Sequence, residues 1–327
     1  MSAALNGVVV VDKPVGPSSF AIVHQARKLT GTRKVGHGGT LDPAASGVLP
    51  ICFGEGTKLA QFLLDADKEY LATVRLGVTT DSYDATGVVV GRCVAADVSA
   101  AAVEAALGTF RGWLSQRPPV FSALKRDGRP LYAYARAGEE VAVEARRVRI
   151  DELEVLELVD LGTEAPAVRL RVACSKGTYI RSLAHDLGAA LGVGGHLEAL
   201  RRTRSGPFTL AQAIAPEALA TASSHLVSPA EALASLPTMT LSPASVQAVS
   251  QGKAILWQDL GTPPATAGSP GSIEEAADER ALDDAPGERP GTALVRFLDA
   301  AGALVAVATA AGPAERVRTL RVFGREG

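Results

Sequence analysis

Segments with strand and helix patterns follow one another along this chain without regular alternation. Residues 7–11 (GVVVV) predict a buried strand, and helical segments that a serine can cap follow at 19–29 and 100–107. Two strand-like segments, 146–159 and 168–174, then come in succession with no helix between them. Such an order favours an α+β fold, with a mixed, mostly antiparallel sheet flanked by helices, over a doubly wound parallel sheet.

The last third of the chain differs from the rest in its composition. Residues 210–235 predict helical structure, and from residue 236 onward short strand-like pieces alternate with turns. This change predicts a small β-rich C-terminal domain at 236–327 after a larger domain at 1–235. Residues 259–291 interrupt the smaller domain with Pro, Gly, Ala, Ser and eight acidic residues. Because this composition buries too little apolar surface to order itself, we expect a disordered acidic insertion there.

Charge is distributed unevenly along the chain. The formal net charge of −2 argues weakly against a nucleic-acid partner, but residues 259–290 alone carry −6, which leaves +4 for the rest. Positive charge is concentrated at 111–149, with +5, and at 171–206, with +4. Clusters of this kind can follow a phosphate backbone, and they equally fit a solvated surface, so charge alone leaves both readings open.

Location and metal content are constrained mainly by missing patterns. No apolar run approaches the roughly 18 residues of a membrane-spanning helix, and the N-terminus lacks the basic region and cleavage site of a signal peptide. We therefore expect a cytoplasmic protein. Cys52, Cys93 and Cys174 form no CxxC pair, which predicts buried free thiols, and neither an HExxH motif nor a P-loop is present. These patterns predict no metal site.

Residues 31–50 lack a sustained period and are dense in glycine, which predicts a loop. Within it, residues 36–43, GHGGTLDP, hold a single carboxylate, Asp42. Pro43 favours an extended conformation for the residue before it, and the glycines let the backbone turn sharply or approach a ligand closely. The segment suits a carboxylate at the lip of a cleft. It equally suits a plain turn, because Asp-Pro is common in turns.

Two further segments contain candidate functional groups. SKGTYIRSLAHDLG places Tyr179 and Arg181 at a turn that enters a helix, and DKEYLATVRLG puts Tyr70 on one face of a strand. Taken singly, these are unremarkable core aromatics and a surface arginine. Together with GHGGTLDP, they resemble the TruB-type tRNA pseudouridine synthases of bacteria.

This resemblance extends over nearly the whole chain and includes VVVVDKPVGPSS, PPVFSALKRDGRPLYAYARAG and HLEALRRTRSGPF. It implies the pseudouridine-synthase fold, with residues 117–145 as an RNA-gripping thumb and residues 236–327 as a PUA-like RNA-binding domain. The thumb favours a stand-alone, monomeric enzyme over relatives that need a guide RNA. The acidic insertion departs from the family pattern, and its charge would repel phosphate.

The resemblance also implies an activity, the isomerisation of uridine 55 in the T loop of tRNA to pseudouridine without a cofactor. Asp42 would act as nucleophile or base on a flipped-out uridine, at C1′, at C6 or through a glycal. Arg181 would pair with Asp42, keep it ionised and orient it. Tyr70 would stack on the flipped base and could accept the C5 proton.

Five further residues resemble substrate-binding positions of the family. His37 would take the place of the flipped base inside the T loop, and Lys13 would pack near the pocket. Asp84 would support the site, while the Tyr179 backbone and Leu200 would contact the uracil edge and form the pocket wall.

Three alternatives remain open from the sequence. The chain could modify a uridine at another RNA site, or it could fold tRNA without essential catalysis. Glycoside hydrolysis is the third, but it usually needs two carboxylates that flank the scissile bond, and the GHGGTLDP segment offers one.

Overall fold

The computed structural model describes residues 5–122, 124–126, 128–139, 141–260, 294–309 and 315–324. The chain forms two compact units, one made of residues 1–8, 52–59 and 226–327 and the other of residues 9–51 and 60–225. Most of the predicted acidic insertion, residues 261–291, lies outside the described residues. The predicted boundary between a larger domain at 1–235 and a C-terminal domain at 236–327 stays a prediction.

The larger unit is built around one large sheet. The strands in this part of the chain are β1 (Gly7–Lys13), β2 (Val35–His37), β3 (Ala45–Phe53), β4 (Lys68–Leu76), β5 (Val78–Thr80), β6 (Val89–Arg92), β7 (Gly112–Gln116), β8 (Lys125–Arg126), β9 (Arg129–Pro130), β10 (Arg146–Val159), β11 (Ala167–Cys174), β12 (Gly195–Ser205) and β13 (Phe208–Thr209). The helices are α1 (Ser19–Thr30), α2 (Ala60–Asp65), α3 (Ala100–Gly108), α4 (Leu131–Arg136) and α5 (Ile180–Ala190).

The large sheet has the strand order β1-β3-β12-β4-β11-β10-β7, with β2 beside β3 and β13 beside β12. Strands β3 and β12 run parallel. The pairs formed by β12 with β4, β4 with β11, β11 with β10 and β10 with β7 are antiparallel. This sheet confirms the predicted mixed, mostly antiparallel arrangement.

One face of the sheet is buried, with helices packed against it. Alternate residues of β4, among them Ala72 and Val74, lie in the core together with Val103 of α3 and Leu187 of α5. Tyr70 belongs to the same alternate set of β4 and packs against this core from its edge. The strand pattern read from the sequence therefore places Tyr70 on the inner face.

Helix α1 starts and ends where its sequence predicts. The Ser18 hydroxyl accepts a hydrogen bond from the Ala21 N–H and caps the first turn. The helix stops at Gly31, whose φ of 69° is in the left-handed region that glycine favours. These two signals fix the helix that precedes the Asp42 segment.

The smaller unit contains a second, four-stranded sheet in the order β14-β15-β16-β17. Its core includes Trp257, whose ring packs edge-on against Phe297 with centroids 5.6 Å apart. The strands are β14 (Thr238–Thr240), β15 (Leu294–Leu298), β16 (Leu304–Thr309) and β17 (Arg318–Val322), and the helices are α6 (Pro229–Ala232), α7 (Pro243–Ser250) and α8 (Trp257–Leu260). The β-rich C-terminal region is confirmed.

The reading of residues 31–50 as a continuous loop is wrong. Strands β2 and β3 occupy much of this stretch and leave irregular segments at 31–34 and 38–44. Gly47 shows why glycines in this stretch led to the wrong prediction of a loop. A Cβ at Gly47 would lie 2.1 Å from the Arg202 backbone oxygen, so this glycine permits close approach of β3 to β12 rather than a loop.

Two smaller expectations also need correction. Residues 210–235, expected to be helical, form the 3₁₀ turns Leu210–Gln212 and Pro216–His225 and the short α6. Cys52 and Cys174 are buried thiols as expected, but Cys93 is exposed just after the exposed strand β6. No helix in the described part of the chain is long and apolar enough to cross a membrane.

Candidate active site

The segment that carries Asp42 is held from the side of α1. The Ser19 hydroxyl donates a hydrogen bond to the Leu41 carbonyl at 2.9 Å and accepts one from the Leu41 N–H at 2.8 Å. The Asp42 carbonyl in turn accepts the Ala45 N–H at 3.0 Å, at the start of β3. The carboxylate therefore stands on a backbone fixed at both ends.

Lys13 holds the other side of the same segment. Its side chain is fully buried, and its ammonium donates hydrogen bonds to the carbonyls of Pro14 and Pro17, both at 2.9 Å, and to that of Pro43 at 3.5 Å. Burial lowers the pKa of Lys13, and the Asp42 carboxylate opposes this shift. These contacts place Lys13 beneath the segment as a support.

Arg181 reaches Asp42 from the first turn of α5. One guanidinium nitrogen, Nη2, lies 3.1 Å from Asp42 Oδ2. The arginine side chain is 8% exposed, whereas that of Asp42 is 45% exposed. The other nitrogen, Nη1, donates to the Phe121 carbonyl at 2.9 Å. The pair thus presents an open carboxylate whose cationic partner is buried and fixed.

Asp84 approaches the opposite side of the same guanidinium. Its Oδ2 lies 3.6 Å from Arg181 Nη1, and its side chain is 12% exposed. Its Oδ1 accepts hydrogen bonds from the Ser82 hydroxyl at 2.8 Å and from both the N–H and the hydroxyl of Thr86, at 2.9 and 2.6 Å. Arg181 is consequently held between two carboxylates, one fixed and one open.

Tyr70 lies on β4, directly across from Arg202 of β12. Burial raises the pKa of its phenol, and the positive charge of Arg202 opposes that shift. The half-buried ring packs against the edge of the core, as does Leu200, the predicted pocket wall, which lies across from Ala72 on the same face. Tyr70 therefore presents a neutral phenol at physiological pH.

Arg202 is a residue of this site that the sequence reasoning missed. Its side chain is 1% exposed, and its guanidinium donates to the carbonyls of Val48 at 2.8 Å, Thr40 at 3.2 Å and Gly39 at 3.1 Å. Among the described residues it forms no ion pair. The signal was available, because strand alternation puts Arg202 on the same face as Leu200.

We expect Arg202→Met to lower the free energy of unfolding by roughly 3–5 kcal/mol, since three backbone acceptors lose donors from a buried cation. Urea denaturation measures the change. Arg201→Met is a matched control, because Arg201 is 39% exposed and pairs at the surface with Asp12, an interaction worth at most about 1 kcal/mol. Equal, small losses in the two variants would contradict the role of Arg202.

His37 ends β2, just before the irregular segment. Its Nδ1 accepts the Gly39 N–H at 3.4 Å, and burial together with the charge of Arg202 lowers its pKa. The half-buried ring is therefore neutral at pH 7. A neutral, flat ring suits stacking rather than phosphate binding.

Tyr179 caps α5 through its backbone. Its N–H donates to Gln116 Oε1 at 2.8 Å, and its carbonyl accepts from Gln116 Nε2 at 3.1 Å. The N–H is thus already used, and the carbonyl accepts a second hydrogen bond from the Leu183 N–H at 3.1 Å, which engages both of its lone pairs. The predicted contact of this backbone with the uracil edge stays a prediction. Gln116 is a positioning residue that the sequence did not reveal.

Four of the predicted residues therefore meet directly. Asp42, Arg181 and Asp84 form one chain of charges, and Lys13 holds the carbonyl next to Asp42. Arg202 donates to the backbone of 39–48 and lies across from Tyr70. His37 contacts this segment through the Gly39 N–H, and Tyr179 is held by Gln116. In the described ranges no group of three or more His, Cys, Asp and Glu side chains could hold a metal ion.

Comparison with known proteins defines the class. The family model described as "TruB family pseudouridylate synthase (N terminal domain)" matches residues 27–180, and "tRNA pseudouridylate synthase B C-terminal domain" matches 181–236. A solved structure, "Crystal Structure of a Cbf5-Nop10-Gar1 Complex", superposes with a TM-score of 0.70 at 29% identity, over 97% of this chain and 85% of that one. These matches define a pseudouridine-synthase fold, as predicted.

Two curated relatives indicate which family of pseudouridine synthases the chain resembles. The chain is 53% identical over 216 residues to "tRNA pseudouridine synthase B" of Francisella tularensis subsp. tularensis (strain WY96-3418), which spans 66% of this chain and 70% of the relative. It is 50% identical over 254 residues to the protein of that name from Azoarcus sp. (strain BH72), which spans 76% and 83%. The chain belongs to the TruB family of pseudouridylate synthases.

Proposed function

We propose that this chain isomerises uridine in tRNA to pseudouridine, and that its target is uridine 55 of the T loop. The observation that carries the proposal is the Asp42–Arg181 pair, 3.1 Å apart, with the carboxylate open and the guanidinium buried. Family membership and relatives named tRNA pseudouridine synthase B support the reaction and the RNA partner.

The reaction needs few groups. The N1–C1′ bond breaks, the uracil turns, C5 bonds to C1′, and the C5 proton is lost while N1 regains one. Nothing is oxidised or imported, so side chains suffice. Asp42 supplies the anion that attacks C1′ or C6 or removes a proton on a glycal route. Arg181 binds Oδ2, which orients the carboxylate and leaves its second oxygen for the substrate.

Tyr70 is proposed to stack on the flipped uracil and to move the C5 proton. Its place on the inner face of β4, the face that Leu200 also occupies, supports a base-stacking role. Its raised pKa keeps the phenol protonated in the free enzyme, so it can take the C5 proton only as it gives its own proton away, directly or through water, to the uracil N1 that regains one.

Tyr70→Phe retains the ring and removes the acid–base group. We expect the rate constant of the chemical step to fall about 10²-fold or more, the usual contribution of a positioned acid–base group, with tRNA affinity within about threefold of the parent. Single-turnover tritium release measures the first quantity and filter binding the second. A parental rate in Tyr70→Phe would remove the proton-transfer role.

RNA recognition is proposed to involve regions around this site. His37 would replace the flipped base within the T loop. Residues 117–145 would act as the thumb, and 236–327 as a PUA-like RNA-binding domain. The positive clusters at 111–149 and 171–206 would contact T-arm phosphates, so affinity should fall as salt rises. A monomeric state, independence from guide RNA and a cytoplasmic location remain predictions.

Tritium release from tRNA labelled at uridine C5 tests the proposal. The expected result is release from full tRNA and from an isolated T-arm minihelix, with background release when residue 55 is cytidine. Release that persists from the cytidine-55 tRNA would show that another uridine is the target. Absence of release from all three RNAs would overturn the proposed activity.

A further inference from the structure

We infer that the stacked rings of Tyr83 and His185 position the Asp84–Arg181 contact and so set the geometry of the active site from outside it. This inference rests on the proposed function. The two rings lie 3.9 Å apart between centroids and are inclined by 13°. Neither residue resembles a functional position of the family as read from the sequence.

Tyr83 has an uncommon backbone. Its φ is 65°, in the left-handed region that side chains other than glycine rarely adopt. Such a conformation persists only where the surroundings enforce it, and it clusters at functional sites. Strand β12 enforces it here, because the Leu197 N–H donates to the Tyr83 carbonyl at 2.9 Å and the Ala85 N–H donates to the Leu197 carbonyl at 3.0 Å.

The loop at 80–86 contacts α5 at two points. Tyr83 and Asp84 are neighbours on the loop, and they meet His185 and Arg181, respectively. Arg181 and His185 are four residues apart on α5, which places them on one face of the helix a turn apart. The stack and the ion pair therefore form adjacent contacts between the same two elements.

The stack is needed because the ion pair is loose. Asp84 Oδ2 lies 3.6 Å from Arg181 Nη1, beyond a direct hydrogen bond, and the Ser82 carbonyl accepts from that nitrogen only at 3.4 Å. The hydrogen bonds from Ser82 and Thr86 to Asp84 lie inside the loop and do not tie it to α5. Ring stacking supplies the close contact that the charges lack.

No hydrogen bond at Nδ1 fixes the His185 ring in the described structure. Its Nδ1 is buried and has no hydrogen-bond partner among the described residues. Charged neighbours of the pair are Asp186 and Arg117, and burial and then Asp186 raise the pKa of Tyr83, whereas Arg117 opposes the rise. Both rings are half-buried, so their replacement leaves the core intact.

The test uses Tyr83→Ala, His185→Ala, the double variant and His185→Phe in the full-length chain. We expect each alanine variant to slow single-turnover tritium release about 5- to 10-fold, with tRNA affinity within twofold of the parent. The double variant should be no slower than the slower single variant, because both remove one contact. His185→Phe should restore the rate to within twofold, since it keeps a flat ring.

Hydrogen exchange gives a readout that does not depend on activity. In His185→Ala, exchange of the backbone at 80–87 should accelerate about fivefold, while His185→Phe leaves it unchanged. Alanine variants with the release rate and exchange of the parent would overturn the inference. So would alanine variants that lose only tRNA affinity, or a His185→Phe variant that does not restore the release rate. An inactive parent would instead refute the proposed function, and the exchange result would still decide this one.

Discussion

Asp42→Asn should abolish tritium release, with a loss of at least about 10³-fold in the single-turnover rate constant. The amide keeps the shape of the side chain and removes the anion on which each of the three routes depends. The backbone bonds from Ser19 to Leu41 do not involve the carboxylate, so the fold should persist. We expect tRNA affinity to change by less than about fivefold.

Asp12→Asn is the matched control for this prediction. Asp12 also pairs with an arginine, Arg201, at 2.7 Å, but that pair joins β1 to β12 and involves neither Asp42 nor Arg181. Its replacement should leave the rate within twofold of the parent. If Asp42→Asn released tritium as fast as Asp12→Asn, Asp42 would not be the reacting group, whatever its contacts.

Arg181→Met should lower the single-turnover rate constant about 10²- to 10³-fold while tRNA binding survives. Methionine fills much of the volume but leaves Asp42 without its orienting cation and leaves the buried Asp84 without a counter-charge. The rate constant of Arg181→Lys should lie between those of the parent and Arg181→Met, because one ammonium cannot replace the planar guanidinium that reaches both carboxylates. The same tritium assay and filter binding separate chemistry from affinity.

Two controls guard this second prediction. Thermal unfolding of each variant shows whether a lost rate reflects a lost fold, since removing one partner of a buried charge destabilises a protein. Arg75→Met, which breaks the Arg75–Glu198 pair on the outer side of β4 and β12, should cost little activity. Normal turnover in folded Arg181→Met would show that the ion pair is incidental.

The sequence predicted the parts of the fold that local patterns encode. The α1 helix follows from Ser18 and Gly31, and the inner face of β4 from the alternation at Tyr70, Ala72 and Val74. Strand β3 was missed because burial on both faces removes alternation, and the three-residue β2 was missed because Gly36 and the glycines after it indicate a loop. At Gly47 the glycine serves a strand pairing whose partner is about 150 residues away.

The catalytic residues were predicted mainly by resemblance, whereas several residues that hold them in place were not predicted. No local pattern joins Asp42 to Arg181, since their meeting depends on the parallel register of β3 and β12 and on the placement of α5. Gln116 was missed for the same reason, because a buried polar residue looks like any other until its partners are known, whereas strand alternation had already placed Arg202 on the face of Leu200. The Tyr83 conformation is likewise visible only in three dimensions.

Direct mapping of pseudouridine in tRNA tests the central claim, that one carboxylate held by a buried guanidinium rearranges a uridine taken out of its stack. Unmodified tRNA is treated with the parent and with Asp42→Asn at equal RNA occupancy, and position 55 is read by carbodiimide labelling and primer extension. We predict near-complete conversion at residue 55 by the parent and none by Asp42→Asn. Conversion at residue 55 by Asp42→Asn, or its absence with the parent, would contradict the account.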